Sequence, residues 1–153
     1  MFRFFIILLS LSFYLFSGSI EGTVSYAGSN KTPKPLKMDS DPICGTSHSV
    51  PPTKEDFILN ENNQFKNVIV WLKDMEKSKS QNEEDLSSDT VTIDQIGCRY
   101  VPHVNVFTKG QKVLIKNSDQ TLHNVNSQSK INENFNSAQP AGVPDIEKTF
   151  SSA

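Results

Sequence analysis

Several signatures that would assign an activity are missing from this chain. It has no Gly-rich phosphate loop, no His-Glu-x-x-His helix and no nucleophile elbow. Ser, Asp and His are present, but in no arrangement that marks a catalytic triad, so the sequence reads as a non-enzyme. Basic residues are not in excess. With residues 1–19 set aside, 14 Lys and Arg stand against 17 Asp and Glu. Such a chain offers no basic face to nucleic-acid phosphates, and no nucleic-acid partner is expected. No repeat is visible, and no long helical pattern occurs beyond the N-terminus. Only one extended apolar run exists, which leaves the remainder to fold as a soluble domain.

That run lies at the start. Met1-Phe2-Arg3 is a short positive region, Phe4 to Phe16 is an apolar stretch of 13 residues, and Ser17-Gly18-Ser19 supplies small residues at cleavage positions. This layout predicts a secretory signal peptide over 1–19 and a periplasmic or secreted protein; 13 residues is short for a membrane span. An uncleaved N-terminal anchor is the competing reading. No cysteine follows the run in a lipobox position. Residues 20–153, from a chain of 36% hydrophobic and 21% charged positions, suffice for one domain.

Within that domain the apolar residues recur at the period of strands. Glu21 to Ala27 alternates as a first strand, Lys31 to Pro52 carries five prolines and should wrap the surface, and Phe57 to Leu59 is a short strand. Asn67 to Lys73, NVIVWLK, is the most apolar segment after the leader and predicts a central strand, with Trp71 packed in the core. Residues 74–89 are polar and predict a flexible insertion. Thr90 to Asp94, Val101 to Phe107, Lys112 to Asn117 and a segment starting at Leu122 read as further strands, and Asp145 to Phe150 as the start of one more. Asn126 to Ser137 gives little signal. Short runs broken by turns predict an all-β protein, a Greek-key β-sandwich.

The spaced residues Tyr100, Pro102, Val106, Gly110, Val113, Asn117, Asp119, His123 and Asn124 resemble the middle of a cupredoxin, the plastocyanin-type blue-copper fold. The similarity is nearest to secreted methylamine-utilisation and plastocyanin-like members. It implies a sandwich of cupredoxin type, copper as cofactor, a redox partner protein, and His123 as the first copper ligand. In that family the other ligands, a cysteine, a second histidine and usually a methionine, come from a loop near the C-terminus. The 30 residues after His123 contain no Cys, His or Met. The expectation is therefore a C-terminally incomplete, truncated domain without a full blue-copper site.

The candidate residues carry competing readings. His123 is an imidazole ligand on the resemblance, or a loop histidine satisfied by a carbonyl. His103 is a second imidazole donor or a structural residue, and His48 a solvated loop residue. Cys44 and Cys98 are an even pair in a chain read as secreted, which permits a disulfide; closing that loop would stabilise the fold by ~4 kcal/mol. Alternatively Cys98 is a thiolate donor beside His103 and His123, although the turn at Asn117 to Gln120 is expected to keep it apart from His123. Two functions follow: an extracytoplasmic copper-binding, electron-transfer protein, or a metal-free β-sandwich module that binds protein or carbohydrate.

Overall fold

A computed structural model describes residues 20–29, 31–73 and 89–152. The leader over 1–19 lies outside the described residues, as does the insertion over 74–89 apart from Asp89. The described chain is strands in two sheets with one helix of five residues, α1 (Pro42–Thr46). Among the described residues no helix is long and apolar enough to cross a membrane.

The strands are β1 (Val91–Gln95), β2 (Tyr100–Val101), β3 (Lys112–Asn117), β4 (His123–Ser127), β5 (Phe135–Gln139) and β6 (Ile146–Thr149). One sheet runs in the order β2-β1-β3-β6; β4 and β5 form the other. β3 lies between a parallel neighbour, β1, and an antiparallel one, β6. Its sequence KVLIKN alternates, and the alternation is what places Val113 and Ile115 in the interior. The register sets Ile93 beside Ile115 and Ile115 beside Ile146, giving one sheet a continuous apolar face. Val125 of β4 reaches the same interior, and Phe107, Phe135 and Phe150 pack around it. Each such buried aliphatic side chain contributes roughly 1.5–3 kcal/mol relative to exposure.

A glutamine pair ties the sheets together beside this core. Gln139 is fully buried. Its Oε1 accepts from Gln95 Nε2 at 2.8 Å and its Nε2 donates to the Ile115 carbonyl at 2.9 Å. Gln95 Nε2 also donates to the Lys116 carbonyl. These bonds offset the desolvation that two buried amides would otherwise suffer.

Four expectations need correction. Residues 67–73 form no strand, and Trp71 is 74% exposed with Val70 and Leu72 beside it. No described strand runs alongside to take their backbone groups, so apolar character alone does not bury them. Asn67 adopts a left-handed conformation, which turns the chain at the segment's start. Residues 101–107 are not a continuous strand, because pairing stops after Val101 at Pro102, which lacks an N–H for the ladder. Glu21 to Ala27 contributes a single bridge, Ser25 to Gln64. Conversely β5 falls partly in the stretch with little sequence signal.

Candidate metal centre

The site is built on two tight turns. β1 and β2 join through Gly97 and Cys98, both left-handed (φ 61° and 59°), the conformation that a two-residue hairpin turn requires. Gly97 is needed here for a second reason: a Cβ on it would lie 2.7 Å from the His48 ring. Ile96 N donates to the Arg99 carbonyl at 2.9 Å and closes the hairpin. The second turn follows β3. Asn117 Oδ1 accepts from the Asp119 amide, and its Nδ2 donates to the Thr121 and Gln139 carbonyls, each at 2.8 Å. An asparagine folding its side chain onto the backbone in this way fixes where Asp119 points.

Asp119 links the turns. Its Oδ1 accepts from Gly97 N and its Oδ2 from Cys98 N, both at 2.7 Å. Oδ2 also receives His123 Nε2 at 2.8 Å. Burial pushes the Asp119 carboxyl up, but the Cys98 amide, His123 and the Gly97 amide outweigh it and hold the group below the usual carboxylate range. An ionised carboxylate only accepts, so His123 Nε2 carries the proton and the lone pair of the neutral ring lies at Nδ1. That nitrogen has no hydrogen bond among the described residues. His123 pairs across the sheet with Gln139, so both side chains share the inner face at one end of the molecule.

Cys98 lies in this corner too. Its sulfur, an Asp119 oxygen and a His123 nitrogen all fall within 4.8 Å of one another, a group that could hold a metal ion. The expected separation of Cys98 from His123 is thus corrected: the turn folds back and the Asp119 carboxylate draws the hairpin against it. The same sulfur is joined to Cys44 in a disulfide. In that state it is no thiolate, and the group offers two good donors rather than three.

The remaining histidines lie elsewhere. His103 Nδ1 is 3.3 Å from Glu55, which also faces Arg99 at 3.8 Å, and His103 is not in the group around His123. His48 is not merely solvated: half-buried, it donates from Nε2 to the Gly97 carbonyl at 2.7 Å. Asp41 caps α1, accepting from the Ile43 and Cys44 amides, and reaches across to the Thr121 hydroxyl at 2.8 Å. The Thr121 hydroxyl and the Cys44 amide lower its pKa. Sequence reasoning places Asp119 in a turn but gives it no role at the site. Its position four residues before His123, in a turn opened by asparagine, is the available signal. No family model, curated protein or solved structure matches this chain.

Proposed function

We propose that this protein is an extracytoplasmic, cupredoxin-like copper-binding protein that carries electrons to or from a partner protein, with His123 as the imidazole ligand. The observation carrying this reading is the Asp119–His123 pair. A carboxylate anchored by two backbone amides fixes the ring and its tautomer, the arrangement that orients metal-bound histidines. The two sheets are read as part of a Greek-key sandwich of cupredoxin type, whose rigidity would keep ligand motion small.

The donor set fits copper as Cu(II) bound by imidazole, in tetragonal geometry. Bound copper would supply a one-electron couple. His123 would hold the ion, Asp119 would hold His123, and the Asn117 turn would hold Asp119. The donor set does not fit an intensely coloured copper–thiolate centre, because the sulfur nearest His123 is committed to the disulfide.

Titration of the oxidised protein with Cu(II), followed by electron paramagnetic resonance, tests the proposal. One copper per chain with nitrogen hyperfine coupling and only pale colour is the expected product. His123→Ala should abolish it, Asp119→Ala should weaken binding roughly 10–100-fold, and His103→Ala should leave it unchanged. Copper binding that ignores His123 would sink the reading.

The alternative, a metal-free module binding protein or carbohydrate, draws on one observation. An open slot of about 340 Å³ between the sheets exposes Tyr100, Phe107, Phe135 and Phe150 beside the core. Loss of copper binding in every form of the protein, with a ligand protecting these aromatics, would favour it.

A further inference from the structure

We infer that reduction of the Cys44–Cys98 disulfide converts the Cys98–Asp119–His123 corner into a zinc site, so that the oxidation state of the pair decides whether Zn²⁺ is held there. This goes beyond the copper reading and does not depend on it. Thiolate, carboxylate and imidazole together are the donors of tetrahedral zinc sites. Bond lengths of about 2.0–2.3 Å place tetrahedral donors roughly 3.5 Å apart. The three donors already lie within 4.8 Å of one another, so closing the site takes shifts of about an ångström. The His123 proton moves from Nε2 to Nδ1, so that Nε2 and the Asp119 oxygen it now binds both face the ion.

Two features make the disulfide a gate rather than a permanent lock. First, the position of Cys98 does not rest on Cys44. Asp119 binds the Gly97 and Cys98 amides, and the hairpin is closed by Ile96 and Arg99, so the sulfur stays in the corner when the S–S bond breaks. Second, Cys44 is only half-buried and lines an open cavity of about 410 Å³ together with Met38, His48 and Pro51, the side from which a reductant would approach the bond.

The electrons come from a dithiol reductant. One of its thiolates attacks the Cys44 sulfur, the S–S bond breaks, and Cys98 leaves as a thiolate. The second thiol then displaces Cys44, and the reductant departs as its own disulfide. Of the two protons the dithiol gives up, one ends on Cys44. The other passes to water as Zn²⁺ takes the Cys98 thiolate.

Cobalt(II), a coloured substitute for zinc, reads the site directly. Cys44→Ser leaves Cys98 free without any reductant. Titrated anaerobically, this variant should bind one Co²⁺ per chain with a thiolate-to-metal charge-transfer band and the d–d bands of tetrahedral geometry, all bleached by Zn²⁺. Wild-type protein reduced with a phosphine should behave alike, whereas oxidised wild type and Cys98→Ser should show no thiolate band. Adding Asp119→Ala or His123→Ala to Cys44→Ser should weaken binding at least tenfold. Absence of the band from both thiol-bearing forms overturns the inference. So does a band that survives loss of both Asp119 and His123, since that is a lone sulfur in a loosened chain. A chain that unfolds without its disulfide and shows no band overturns it equally, because Asp119 and the hairpin must hold Cys98 unaided. Copper binding by the oxidised protein is a separate measurement, so either proposal can fail alone.

Discussion

Residues 89–152 and residues 20–73 are held in place by different means. The first region is a set of strands in register, with Val113, Ile115 and Val125 buried between two sheets. The second has three isolated bridges, a cluster in which Tyr26, Phe57 and Phe65 meet edge to face, and one covalent tie to the rest through Cys44. The contrast is sharpest between NVIVWLK at 67–73 and KVLIKN at 112–117. The first is the more apolar, yet it is exposed, while the second is the centre of a sheet. A strand's burial is decided by what lies on either side of it. β3 has β1 and β6 as neighbours; residues 67–73 have no described strand.

If the covalent tie matters as this contrast implies, removing it should have the largest effect. The bond joins residues 54 apart in sequence, and constraining a loop of that length in the unfolded chain stabilises the native state by ~4 kcal/mol on the chain-entropy model. The double variant Cys44→Ser, Cys98→Ser should lose about that much in urea unfolding. Hydrogen exchange should locate the loss: amides of 20–73 should exchange faster first, while those of β1 and β3 keep the greater protection. Equal loss across both regions would show that the two are one cooperative unit after all.

Strands whose pattern is self-sufficient are legible in the amino-acid order alone. Lys112 to Asn117 is a strand with the expected bounds, and Val91–Gln95 and Ile146–Thr149 lie within a residue or so of theirs. Their alternation reports a single buried face, and alternation is a local property. Phe135–Gln139 is hidden because its inward residues are Phe135, Ser137 and Gln139. Gln139 is buried by virtue of hydrogen bonds to Gln95 and Ile115, which no hydropathy pattern encodes. The site is half legible for a similar reason. His123 stands out by resemblance, and the two cysteines by their number. Bringing Cys98 to His123 depends on a carboxylate reaching 21 residues back to a backbone amide, a contact set by tertiary structure alone.

That carboxylate gives a smaller, pH-dependent effect. Asp119 titrates below the ordinary carboxylate range in the folded protein, despite burial that opposes this. A depressed folded pKa means that the ionised group stabilises the native state at pH above the unfolded value, near 3.9. The contribution is lost as pH falls through the lower, folded value. Asp119→Asn should cost roughly 1.5–3 kcal/mol at neutral pH, the scale of hydrogen bonds to a charged group. The wild type should approach the variant as pH is lowered from 5 towards 2. Asp41, also lowered, adds acid sensitivity of the same sign that the variant retains. Urea midpoints of both proteins across this range measure the difference; a constant gap would mean that Asp119 acts by shape and not by charge.

The smallest effect belongs to the residue that the sequence marked for the core. Trp71 is the chain's only tryptophan, and it is 74% exposed, between Val70 at 77% and Leu72 at 62%. Truncating a buried tryptophan leaves a large cavity and costs roughly 3–5 kcal/mol. At an exposed position without a special contact, the change should stay within about 0.5 kcal/mol. Trp71→Ala is therefore expected to leave the urea midpoint nearly unchanged. Because no other tryptophan contributes, fluorescence gives a second reading: native emission should already resemble that of the unfolded chain. A blue-shifted native spectrum, or a loss of several kcal/mol in Trp71→Ala, would mean that residues 67–73 are covered in solution. A shift that grew with protein concentration would identify the cover as a second copy of the chain, since only self-association depends on concentration in this way. Burial independent of concentration would instead place the cover within the chain, and the contrast between the two regions would be smaller than their described strands imply.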